Sequence, residues 1–128
     1  MIEYAVVYLK VQHIILCGHT SCGGVAAALD NKKLGKIDTW LMPLRKVRMD
    51  HAKTLEGLQG AEKARKMVDL NVQAGVEVLK SNPDVIEAMK ERGLTVQGLV
   101  YDLAQGELVP VEHEDQTEEH RHGAFVIA

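Results

Sequence analysis

Residues 11–24 read VQHIILCGHTSCGG, and this stretch decides the fold. Its first half, residues 11–17, is a short and nearly continuous apolar run. That is the pattern of a strand covered on both faces in a parallel sheet. Its second half is a glycine-rich turn opening a helix over GVAAALD (24–30), where the alanines supply helix propensity. Open α/β sheets are built from strand–turn–helix units and hold ligands beyond the carboxyl ends of their strands. The turn CGHTSCGG (17–24) falls at that position.

The flanking sequence extends the same architecture. Residues 2–10 predict a helix with Ile2, Ala5, Val6 and Leu9 on one face. Residues 31–53 are mixed, with Gly35 and Pro43 as breaks and an amphipathic segment holding Trp40, Leu41, Leu44 and Val47. The spacing of Val68, Val72, Val76 and Leu79 predicts a helix over about 62–80. Ser81-Asn82-Pro83-Asp84 ends it, and a short helix over VIEAMKER (85–92) stops at Gly93. LTVQGLVYDL (94–103) predicts a second strand, AQGE a tight turn, and LVPV (108–111) a third strand that Pro110 places at an edge. The order is that of an α/β domain with a parallel crossover, expected over residues 1–112. Residues 113–128 read as an acidic tail with an apolar end, AFVIA, suited to docking on the body or on a partner.

At 128 residues the chain has the length of one domain, and its net charge of −3 gives no reason to expect nucleic acid or an anionic membrane. No apolar run approaches the roughly 20 residues of a membrane-spanning helix. The opening MIEYAVVYLK carries Glu3 and no small-residue cleavage site, a poor signal peptide. The only cysteines, Cys17 and Cys22, do not make a disulfide framework, so the expected setting is reducing and cytoplasmic, with an organelle compatible.

Three readings of the turn compete. Cys17 reads as a small core residue at the strand end. A redox pair of Cys17 and Cys22 lacks the Cys-x-x-Cys spacing. A metal reading uses His19 and Cys22, an imidazole and a thiolate that can converge on one ion while Gly23 and Gly24 let the backbone approach. Two donors are too few by themselves: zinc takes four protein donors in structural sites and three plus water in catalytic ones.

The chain resembles the β-class carbonic anhydrases. The pattern C-G-H-x-x-C-G-G matches residues 17–24, preceded by EYAV (3–6). IDTWL (37–41), LNVQ (70–73), NPDVIEAM (82–89), GLTVQGLVYDL (93–103) and the Gly106 turn into LVPV follow in order, so the resemblance covers residues 2 to about 112. It implies a mostly parallel sheet flanked by helices, with the first part of the family's sheet missing. It also implies a zinc cofactor held by His19 and Cys22, with Gly23 and Gly24 as pocket backbone. The implied reaction is reversible hydration of carbon dioxide to bicarbonate by hydroxide on zinc, whose bound water has a pKa lowered to about 7. A homodimer or higher homo-oligomer is implied as well. A catalytically impaired zinc-binding or oligomerising relative, or a fragment of a complete enzyme, is the alternative, and carbonyl sulfide or carbon disulfide hydrolysis is a third activity of the same chemistry.

One departure matters. The family's first strand carries Cys-x-Asp-x-Arg, whose cysteine is the third zinc ligand and whose aspartate and arginine act on the metal-bound water. Here no Cys precedes Cys17, no Asp precedes Asp30 and no Arg precedes Arg45. The strand at 11–17 is therefore expected to have an unpaired edge. Candidates to complete the site are His13, His51, His113, His120, His122, Asp38, Asp102, or a partner's Cys17 or tail histidines.

Overall fold

In the computed structural model, which describes residues 1–112, the apolar run becomes β1 (His13–His19). It begins two residues later than the sequence suggests and carries both Cys17 and His19 within the strand. After α1 (Gly23–Leu29), α2 (Ile37–Asp50), α3 (Ala52–Glu56), α4 (Gly60–Lys80) and α5 (Pro83–Arg92), the chain returns as β2 (Thr95–Asp102) and turns into β3 (Glu107–Pro110). The sheet order is β1-β2-β3. β1 and β2 are parallel, from His13 beside Thr95 to His19 beside Tyr101. β2 and β3 form an antiparallel hairpin with Leu99 opposite Pro110. Pro110 therefore lies on an edge strand, as its missing N–H demands.

α4 packs on the sheet through its valine stripe: Val68, Val72 and Val76 are all at most 4% exposed. Two strand glycines make room for it. A Cβ on Gly18 would lie 2.7 Å from Val72 Cγ2, and one on Gly98 would lie 2.6 Å from Val72 Cγ1. From the helix side, Gly75 seats the Leu16 side chain in the same way. Met67, Val85, Ala88, Leu94, Val96 and Val100 complete this core with Val6 from the N-terminus.

The strand covered on both faces is corrected. Ile14, Leu16 and Gly18 turn toward α4 and are half-buried, whereas His13, Ile15, Cys17 and His19 are exposed. Ile15 is 58% exposed. The reason is one-sided layering: α4 covers one face of β1 and β2, and no described element covers the other. Cys17 is accordingly an exposed residue of the open face, not a core residue.

Two smaller corrections concern helices. The N-terminal helix passes into a π-helical turn, Tyr4–Tyr8, closed by the Leu9 N–H on the Tyr4 carbonyl. The wider turn moves Leu9 off the apolar face, so Val6 is buried and Leu9 is 58% exposed. α2 runs through Pro43 rather than breaking there: the residue is solvent-exposed, and its fixed φ suits a helix that gives up one hydrogen bond. α5 follows its local signals closely. Asn82 Oδ1 accepts from the N–H of Asp84 and Val85, Pro83 stands at the first turn, and Gly93 closes the helix with φ +71°. Arg92 then ties the end of α5 to the N-terminal segment by donating to the carbonyls of Val6 (2.9 Å) and Val11 (2.6 Å). The tail from residue 113, with His113, His120 and His122, lies outside the described residues.

Candidate metal centre

His19 is the last residue of β1 and Cys22 is the N-cap of α1, so both sit at the carboxyl end of the parallel pair. The turn between them is pinned to β2. The Thr20 N–H donates to the Tyr101 carbonyl at 3.0 Å, and Thr20 Oγ1 accepts from the Leu103 N–H at 2.9 Å. Ser21 takes a left-handed φ of +54°, an unusual conformation for a side-chain-bearing residue, and reverses the chain before Cys22. His19 Nδ1 lies 2.8 Å from the Thr20 carbonyl oxygen. A carbonyl can only accept, so Nδ1 carries the proton and Nε2 is the nitrogen with a free lone pair. That is how an outer partner sets the tautomer of a ligand histidine.

Cys22 is half-buried and packs on the core. A Cβ on Gly24 would lie 3.7 Å from Cys22 Sγ and 3.4 Å from Trp40 Cζ3, so the small residue at 24 lets the indole approach the thiol. At Gly23 the space is open. Trp40 is held there by the loop between α1 and α2. Asp38 Oδ2 accepts from the N–H of Leu34 (2.8 Å) and Gly35 (2.9 Å), and Oδ1 pairs with Arg45 Nη1 at 2.8 Å. The Leu34 hydrogen bond above all, with Arg45, holds the Asp38 carboxyl below its ordinary range, although desolvation opposes the shift.

Among the described residues, none of the remaining candidate donors joins His19 and Cys22 in a group that could hold a metal. Asp38 is committed to its loop. Asp102 caps the β2–β3 turn by accepting from the N–H of Ala104 and Gln105. His51 stands at the junction of α2 and α3. His13 lies at the opposite end of β1 from His19, with Nδ1 2.6 Å from Thr95 Oγ1. Among the described residues no group of three or more His, Cys, Asp or Glu could hold a metal ion. His19 and Cys22 thus fit zinc as two of its donors, and the set stops one short of the catalytic minimum. Thr20, Trp40 and the His13–Thr95 pair were not evident from motif spacing. Each depends on contacts far apart in the chain.

The chain is similar to known proteins. Residues 1–108 match the family model described as carbonic anhydrase. A carbonic anhydrase of Candida albicans is 43% identical over 115 residues, covering 88% of this chain and 41% of the relative. One from Emericella nidulans is 38% identical, covering 83% and 47%. The crystal structure of the β-carbonic anhydrase CafA of Aspergillus fumigatus superposes with a TM-score of 0.91 at 45% identity, over 97% of this chain and 61% of that one. A tetrameric β-carbonic anhydrase of Sordaria macrospora gives 0.83 at 46% identity, over 86% and 57%. The chain belongs to the β-carbonic anhydrase family. It spans about half the length of the curated relatives it matches.

Proposed function

We propose that this chain carries a zinc half-site for reversible hydration of carbon dioxide to bicarbonate, with His19 and Cys22 as its metal ligands and Gly23 and Gly24 as pocket backbone. The observation that carries this reading is the preset state of His19: its Nδ1 proton is spent on Thr20, leaving Nε2 for an ion beside the half-buried Cys22 thiol. Zinc held by three donors supplies a bound water of pKa about 7, the chemistry hydration requires. The chain's own contribution is to orient the imidazole, to seat the thiol against Trp40 and the core, and to leave open space at Gly23. The exposed Cys17 thiol suits a reducing cytoplasm, and no helix among the described residues is long and apolar enough to cross a membrane. Homo-oligomeric assembly belongs to the same proposal, as does docking of the apolar end of the acidic tail, residues 113–128, on the body or on a partner.

The test is metal content and stopped-flow carbon dioxide hydration on the purified chain. The expected result is stoichiometric zinc and a rate above buffer, both lost in His19→Ala and in Cys22→Ala. Zinc bound with no rate above buffer overturns the catalytic reading. It supports instead a silent zinc-binding relative.

A further inference from the structure

Resting on that reading of His19 and Cys22, we infer that Thr20 is a positioning residue through its side chain. Its hydroxyl, held by the β2–β3 hairpin, fixes the peptide that keeps the His19 proton on Nδ1 and leaves Nε2 for an ion. The Thr20 N–H donates to the Tyr101 carbonyl at 3.0 Å, its Oγ1 accepts from the Leu103 N–H at 2.9 Å, and its carbonyl accepts from His19 Nδ1 at 2.8 Å. The first two bonds anchor the residue to the end of β2, and the third selects the tautomer.

The anchor is built independently of the turn it holds. Asp102 Oδ1 accepts from the N–H of Ala104 (3.0 Å) and Gln105 (3.2 Å). The Asp102 carbonyl accepts from the Gly106 N–H at 2.7 Å, and Gly106 takes the left-handed φ of +69° that closes the hairpin. Arg65 Nη1 of α4 stands 3.9 Å from Asp102 Oδ2. These contacts present the Leu103 N–H to Thr20 as a fixed donor.

The need for an anchor lies at Ser21. Rotation of the peptide between residues 20 and 21 is set by ψ of Thr20 and φ of Ser21. Ser21 sits at +54°, a conformation that a side-chain-bearing residue keeps only when its surroundings impose it. The His19 ring is exposed, so its own bond to the Thr20 carbonyl competes with water and imposes little. Without the Oγ1 bond, Thr20 is held to β2 by its N–H alone. The peptide then turns, and the released ring takes up the Nε2–H form as well, in which the ligand nitrogen is blocked.

Two-bond 1H–15N NMR of the metal-free chain, at a pH where the ring is neutral, reads the His19 tautomer directly. The wild-type chain should show the Nδ1–H form. Thr20→Val keeps the shape and removes the acceptor, and should shift His19 toward the Nε2–H form. Thr20→Ala should do the same, and Thr20→Ser, which keeps the hydroxyl, should retain the wild-type pattern. In Thr20→Val the Leu103 N–H turns to water, so backbone amides outside the two turns should be unchanged. Zinc titration is the second readout: Thr20→Val should bind roughly 10–100-fold more weakly than wild type, the usual loss for an outer partner of a metal ligand, and Thr20→Ser should not. A retained Nδ1–H ring in Thr20→Val and Thr20→Ala, or an Nε2–H ring in the wild-type chain, overturns this inference while leaving His19 and Cys22 standing. Equal zinc affinity in wild type and Thr20→Val overturns it too. Absence of zinc from the wild-type chain overturns the ligand reading, and the tautomer comparison still decides the role of Thr20.

Discussion

Asp38 shows how one side chain governs a site it never touches. Its carboxylate closes the loop after α1 through Leu34, Gly35 and Arg45, and that loop sets where α2 carries Trp40. Because folding lowers its pKa, the stability it contributes is fully present above the unfolded aspartate value of about 3.9 and is lost as pH falls through the lowered native value. The expected outcome for Asp38→Ala is a lower melting temperature at neutral pH and a shallower loss of stability between pH 5 and the acid limit, roughly the range over which such carboxylates titrate. Parallel acid-unfolding curves for the two proteins would contradict this. At this scale the sequence offers His19 and Cys22 as the candidate pair, because His-x-x-Cys is a local motif. Asp38 was weighed as a donor and proved to be a loop anchor, since its partners are backbone N–H groups that spacing does not reveal.

At the scale of elements, the closest fit is Val72 of α4 between Gly18 of β1 and Gly98 of β2. A methyl added at Gly98 must displace Val72 or the helix, and overpacking of this kind costs about 1–3 kcal/mol. Gly98→Ala should lower the denaturant midpoint accordingly. Val72→Ala should also destabilise, by opening a cavity at a residue that is 1% exposed. The double variant should be less destabilised than the sum of the two, because the new methyl occupies the vacated volume. Strict additivity would show that the two residues do not share this space. The same elements mark what the sequence can and cannot declare. α5 was read nearly end to end because Asn82, Pro83 and Gly93 act on their own neighbours. β1 was misread as covered on both faces because HIILC is equally apolar on either side. The residues that would betray an open face, Ile15 and Cys17, are themselves hydrophobic, and whether a layer lies over them is decided elsewhere in the assembly.

At the scale of the whole molecule, the described residues form one helical layer on one face of a three-stranded sheet, with Arg92 fastening the end of α5 to the N-terminal segment. The outer side of β1 leaves a signature in amide hydrogen exchange. Along a parallel strand the N–H groups point alternately to its two sides. Those aimed at β2 are bonded and those aimed outward have no backbone partner among the described residues, so β1 should show slow and fast amides in strict alternation rather than a uniformly protected block. Uniform protection along His13–His19 in the metal-free chain would mean that the outer side is already occupied. Any segment that pairs along this edge slows the fast half of that alternation residue by residue.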